Sequence, residues 1–187
     1  MKLILASKSP RRKEILEKGK FDFKIIPSNI DESIISTKLA PTDYCVKLAE
    51  LKAKDISNKH MSHTVIGADT IVVINQIILN KPANAIEAKK MLKMLSGKVH
   101  QVITGVSLQN QELSINRTFF QISKVTFYEL NDIEIDSYIK SYRPFDKAGS
   151  YGIQDGSALF IRKIEGSYDN IMGFPLSKFH QLVKKIK

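Results

Sequence analysis

Residues 3–12 read Leu-Ile-Leu-Ala-Ser-Lys-Ser-Pro-Arg-Arg, and this stretch constrains the fold more tightly than any other. A short apolar run stops abruptly at hydroxyls, a proline and two arginines. Ile15 and Leu16 then continue in an amphipathic pattern. The order predicts a buried strand, a tight turn and a helix. Ser9 suits the N-cap, and Pro10 suits the first helical position, where its missing N–H costs nothing. Such a turn gathers backbone N–H groups, the hydroxyls of Ser7 and Ser9 and the guanidiniums of Arg11 and Arg12 at one helix N-terminus. That place is suited to an anion such as phosphate. An ordinary strand–helix connection with solvated arginines would give the same pattern.

Strand and helix patterns alternate along the rest of the chain, which places it in the α/β or α+β class. Phe21–Ile26 reads as a strand and 27–38 as a polar loop. Pro41-Thr42-Asp43 opens a helix that runs to about Ser57. The apolar run 64–74 is read as broken at Gly67-Ala68-Asp69. Asn75-Gln76 turns into Ile77-Ile78-Leu79, and Asn84 caps a helix ended by Ser96-Gly97. Val99–Leu108 and Arg117–Tyr128 read as long strands joined by the loop 109–112. Asn131 and Glu134 form a capping box for a helix closed by Pro144. Residues 148–156 read as loop, 158–164 as strand and 176–186 as a terminal helix.

The 187 residues suffice for one domain, or for two lobes around a shared cleft. The apolar share of 43% is ordinary for a globular protein, and no apolar run approaches a membrane span. The apolar start is too short for a signal-peptide core, so a cytoplasmic protein without a membrane partner is expected. One cysteine, Cys45, excludes an internal disulfide framework and fits a reducing compartment. Four scattered histidines and one cysteine do not suggest a zinc site. His60, His63, His100 and His180 read as structural or exposed. The formal charge of +10 allows a nucleic acid or a small polyanion as partner. The lysines are dispersed, and no arginine-rich arm or aromatic signature accompanies them, so nucleic acid is disfavoured.

Several polar residues sit where packing alone would not put them. Asp69 interrupts an apolar run, and a carboxylate there needs a partner or a cation unless it marks a turn. Lys52 falls in the apolar arc of its helix, where it either snorkels to the core edge or reaches an anion. Lys81 precedes Pro82, which biases it to an extended backbone. Alternatively, Lys81-Pro82 simply ends a strand. Glu32, beside Asp31, could share a hard cation with Asp69 and phosphate oxygens, or lie in a solvated acidic loop. Gln154, in a glycine-containing loop, could read a base edge or be a plain surface residue.

Together these segments resemble the Maf family of nucleotide pyrophosphatases. The resemblance is carried by residues 5–12, Gly67-Ala68-Asp69-Thr70, Lys81-Pro82, Leu95-Ser96-Gly97, 147–154, 164–168 and Gly173-Phe174-Pro175-Leu176. It implies a single domain over 1–187: a mixed, twisted sheet flanked by helices, with two lobes sharing one active-site cleft. That fold is similar to the inosine-triphosphate pyrophosphatases. It also implies hydrolysis of a nucleoside triphosphate to the monophosphate and pyrophosphate with Mg²⁺ or Mn²⁺. Asp69 would activate water. Ser7, Arg12, Lys52 and Lys81 would hold phosphates, with Lys52, Lys81 and Glu32 in the catalytic set. Glu32 and Asp69 would face the metal.

The pyrimidine subtype of that family carries Arg, Thr and Gln at three specificity positions, matched here by Arg11, Thr70 and Gln154. The 7-methyl-GTP subtype has Trp and Gln in place of the first two. The resemblance therefore implies dTTP and UTP, or modified pyrimidine nucleotides, as substrates in a house-cleaning role linked to septum formation. Asp155 departs from the pattern, since glycine is common there. A homodimer is a further expectation. Hydrolysis of 7-methyl-GTP, a nucleic-acid-binding regulator of cell division and a non-catalytic nucleotide-binding module are the competing readings.

Overall fold

A computed structural model describes residues 2–186. Strand β1 (Leu3–Leu5) leads through the turn into helix α1 (Pro10–Lys18). The Ser9 side chain accepts from the Arg12 backbone N–H, with Pro10 at the helix start, as the local signals dictate. Strand β2 (Phe23–Ile25) follows, then helix α2 (Pro41–Ser57) and strand β3 (Thr64–Ile74). Asn75 and Gln76 both take positive φ, 49° and 63°, in the tight turn to β4 (Ile77–Leu79). Helix α3 (Ala85–Leu95) starts at Asn84, which accepts from the Glu87 N–H. Strands β5 (Val99–Asn110) and β6 (Ile115–Phe127) come next, then α4 (Asp132–Tyr142) with its full Asn131–Glu134 capping box. Strand β7 (Ile161–Glu165) and helices α5 (Tyr168–Met172) and α6 (Leu176–Ile186) complete the chain.

Among the described residues, seven strands form one mixed sheet in the order β2-β1-β3-β5-β6-β7, with β4 on β3. Strand β1 runs parallel to both β2 and β3, whereas β3–β4 and β6–β7 are antiparallel. The protein is therefore mixed α/β, as the alternating patterns predict.

The chain divides into two compact units, and β3, β5 and β6 each contribute residues to both. The first holds Met1–Thr70, Thr104–Gln121 and Gly173–Lys187. Its core joins Ile4, Ala6 and Val65 of the parallel strands to Ala53 and Ile56 of α2. Phe21 and Phe174 flank the buried Phe179 of α6, each with ring centroids 5.0 Å away. The second holds Ile71–Ile103 and Ile122–Met172. There His100, Phe127 and Tyr151 form an edge-to-face cluster, and the Tyr151 hydroxyl meets His100 Nε2 at 2.8 Å. Helices α3 and α4 are tied by Lys89–Asp136 at 2.7 Å and Lys93–Asp132 at 2.8 Å.

Two sequence expectations fail for identifiable reasons. Strand β3 is not broken at 67–69 but continues through Asp69, because that carboxylate finds a partner and no turn is needed. The strand expected over 158–164 begins only at Ile161. Residues 156–160 form a 3-10 turn, started by Asp155 accepting from the Ser157 N–H.

Candidate active site

Helix α2 lies unusually close to the sheet at two glycines. A Cβ on Gly67 of β3 would stand 2.1 Å from the Ala49 carbonyl oxygen and 2.7 Å from the Ala53 nitrogen. A Cβ on Gly105 of β5 would meet the Cys45 carbonyl at 2.8 Å. Both positions must lack a side chain for the helix to sit here. The Cys45 thiol fastens the contact. It donates to the Asp69 carbonyl at 3.2 Å and accepts from the Gly105 N–H at 3.1 Å. Burial and the neighbouring Asp69 push the thiol pKa up, so Cys45 stays neutral and acts as a small hydrogen-bonding wedge.

This approach brings Lys52 to Asp69. Lys52 Nζ stands 2.6 Å from Asp69 Oδ1 and 2.8 Å from Glu32 Oε1. Lys52 and Asp69 are both buried, with residue exposures of 8%, whereas the Glu32 side chain is 48% exposed. The apolar arc of α2 thus ends in an ion pair rather than a lysine reaching for solvent. Glu32 begins a 3-10 turn, Glu32–Ile34, in which Asp31 accepts from the Ser33 N–H; hydrogen bonds from the Ser33 side chain and then its backbone lower the Asp31 pKa.

A second cluster adjoins the first through the peptide bond between Asp69 and Thr70. The half-buried Arg12 guanidinium donates from Nε to the Gly173 carbonyl at 2.9 Å, from Nη1 to Ser7 Oγ at 3.2 Å and from Nη2 to Thr70 Oγ1 at 3.0 Å. Ser7 Oγ also accepts from the Ser9 N–H at 3.2 Å, which keeps the turn closed over the start of α1. Burial lowers the Arg12 pKa and Asp69 raises it again; an arginine so placed stays charged at any physiological pH. Arg11, half-buried, precedes it in the first turn of α1.

The first unit therefore holds seven of the residues singled out from sequence: Ser7, Arg11, Arg12, Glu32, Lys52, Asp69 and Thr70. Lys81 and Gln154 belong to the second unit, and both side chains are exposed. Lys81 follows Asn80, whose carbonyl accepts from the Gly149 N–H at 3.2 Å. The loop bearing Gln154 is anchored by its neighbour. Asp155 Oδ1 accepts from the Ser157 N–H at 3.0 Å and from the Tyr138 hydroxyl at 3.1 Å, and Lys147 Nζ lies 3.8 Å from Oδ2. Burial, then the Asp155 charge, raises the Tyr138 pKa, so its phenol remains a donor. Asp155 thus supplies a cap and a tether.

Sequence reasoning missed Gly105, Thr104 and the carbonyl of Gly173. Their parts are played by backbone approach and by bonds to distant segments, which no local pattern reports. The sequence shows Cys45 only as a single thiol that fits a reducing compartment.

The donor chemistry fits a hard cation only in part. No cluster of three or more metal-ligating side chains occurs among the described residues. Asp69 and Glu32 offer two carboxylates, the number with which Mg²⁺ is commonly held when water and substrate phosphates complete its shell.

The chain is similar to known proteins along nearly its whole length. The sequence pattern of the family described as Maf-like protein matches residues 2–186. A Bacillus cereus protein named dTTP/UTP pyrophosphatase is 46% identical over 186 residues, covering 100% of this chain and 94% of the relative. A Bacillus anthracis protein of the same name is 45% identical with the same coverage. Among solved structures, a HAM1 protein from Coxiella burnetii superposes with a TM-score of 0.55 at 15% identity, covering 99% of both chains. The Staphylococcus aureus Ham1 protein gives 0.51 at 11% identity over 100% of each chain. At such identities those two speak for the fold alone, whereas the match over residues 2–186 is decisive: the chain belongs to the Maf family.

Proposed function

We propose that this protein hydrolyses dTTP and UTP, or modified pyrimidine nucleotides, to the monophosphate and pyrophosphate. The observation that carries the reading is Lys52, held at 2.6 Å from Asp69 and 2.8 Å from Glu32, directly beside the Arg12–Ser7 cluster. The names of the relatives at 45–46% identity support the choice of substrate.

The chain's residues divide the work. Arg12 keeps two guanidinium N–H groups beyond the three it uses internally, and Ser7, already accepting twice, keeps its proton to donate. These groups bind phosphate oxygens at the start of α1. Lys52 neutralises charge on the triphosphate and holds both carboxylates in register. Asp69 Oδ accepts a proton from water as its oxygen bonds to the α-phosphorus. The bond from that phosphorus to the oxygen bridging to the β-phosphate breaks, and pyrophosphate leaves with the electron pair. Positioning and charge stabilisation supply most of the rate. Mg²⁺ or Mn²⁺, bound by Asp69 and Glu32 with the phosphates, would neutralise negative charge there. By the family motifs alone, Lys81 would hold phosphate, and Gln154 and Arg11 would select the base.

Among the described residues no helix is long and apolar enough to cross a membrane. The buried Cys45, the single cysteine of the chain, fits work in the reducing cytoplasm, where nucleoside triphosphates are found.

The test is pyrophosphate release from dTTP, UTP, CTP, ATP, GTP and 7-methyl-GTP with Mg²⁺ or Mn²⁺, for wild type and Asp69→Asn. Turnover of dTTP and UTP, lost by about 10²–10⁴-fold in the variant, is expected of a removed general base. A folded wild type that releases pyrophosphate from 7-methyl-GTP alone, or from none, would overturn the reading.

A further inference from the structure

We infer that Thr104 is a positioning residue for phosphate capture. Its hydroxyl orients Thr70, and through Thr70 it sets the Arg12 guanidinium. The inference deepens the reading of Arg12 as a phosphate ligand and rests on it.

Thr104 lies on β5 and is fully buried, in the same compact unit as Arg12, Thr70 and Gly173. Its Oγ1 is 3.0 Å from Thr70 Oγ1. The Thr70 hydroxyl has one proton and two lone pairs. Arg12 Nη2 donates to it at 3.0 Å, and the Gly173 carbonyl stands 3.3 Å away as an acceptor. A single proton arrangement makes all three contacts together: Thr104 and Arg12 donate to Thr70, and Thr70 donates to Gly173. In that arrangement Thr70 has neither a lone pair nor a proton left for a nucleotide. Its influence on substrate choice is therefore indirect, exerted through the angle of Arg12.

The Gly173 carbonyl closes the ring, since it also accepts from Arg12 Nε at 2.9 Å. Gly173 takes φ +118°, a conformation that side chains rarely adopt, and so can aim its carbonyl back at α1 and β3. Nε and one hydrogen each on Nη1 and Nη2 are thus fixed by protein, which sets the direction of the remaining two. Without the Thr104 hydroxyl, Thr70 loses one of its three partners and is held only by Arg12 and the Gly173 carbonyl, so one of the three restraints on Arg12 slackens.

Thr104→Val removes the hydroxyl at nearly constant shape, and Thr104→Ser retains it. Each full-length variant would be compared with wild type in three measurements: calorimetric Kd for inorganic triphosphate, kcat and KM for UTP, and Tm. Thr104→Val should raise both Kd and KM about five-fold, the size of one neutral hydrogen bond, with kcat little changed. Thr104→Ser should restore both. Unchanged Kd and KM in Thr104→Val would overturn the inference, as would equal losses in both variants that track Tm. If triphosphate binding weakens in Thr104→Val while wild type hydrolyses no nucleotide, the relay stands and the hydrolase reading falls.

Discussion

Lys52 on α2 and Asp69 on β3 meet at 2.6 Å in an environment that leaves each side chain 11% exposed. Removing one partner of such a pair strands the other as an uncompensated buried charge. Lys52→Met should abolish pyrophosphate release and cost on the order of 3 kcal/mol of stability by urea unfolding. Glu32→Gln should cost less than about 1 kcal/mol, because the Glu32 side chain is 48% exposed and its pairing is screened. In the double variant Lys52→Met/Asp69→Asn much of the loss should return. Equal costs for Lys52→Met and Glu32→Gln would contradict this account.

Gly67→Ala tests the approach of the helix directly. The new methyl group would lie 2.1 Å from a backbone oxygen of α2, which cannot rotate away. We expect a loss of roughly 1–3 kcal/mol, as overpacking produces, and a fall in kcat from displacement of Lys52. Full activity with unchanged Tm would show that the helix can shift without consequence.

Much of this was legible locally. Ser9 with Pro10, Asn84, and Asn131 with Glu134 are signals confined to one turn of helix, and each is realised. Asp69 was noticed because a carboxylate in an apolar run is costly. Its partner lies 17 residues earlier on another element, so the local pattern alone predicts a break that the strand does not have. Residues 158–160 are apolar enough to suggest strand, and only the tie from Asp155 to Ser157 and Tyr138 makes a 3-10 turn there instead. Thr104 and Gly105 sit in an ordinary β pattern whose faces say nothing of what crosses them.

The tether formed by Asp155 can be tested in the same way. Asp155→Gly removes the acceptor used by Ser157 and Tyr138 and should cost about 1–2 kcal/mol, the range for a lost cap. If Gln154 reads the base, the kcat/KM ratio for UTP over 7-methyl-GTP should fall as well. Asp155→Asn keeps an acceptor oxygen and should retain most of both. A ratio unmoved in Asp155→Gly would separate the tether from base selection.

The second unit carries its own acid sensitivity. Burial lowers His100 to about 4, so it is neutral in the folded protein at ordinary pH. The unfolded chain, with a histidine pKa of about 6.5, binds the proton more readily. The resulting stability is fully present above the unfolded pKa and is lost as pH falls through the folded one, on the order of 3 kcal/mol in all. Urea unfolding of wild type should weaken over that window, and His100→Gln should flatten the slope. Parallel slopes would exclude His100 as the group responsible.

The seat of α2 on Gly67 and Gly105 also bears on how the family can drift. Residues that never touch a nucleotide set the lever arm on which Lys52 swings. A descendant of this chain could keep Asp69, Lys52 and Glu32 letter for letter and still fall silent through a single methyl group gained beneath the helix.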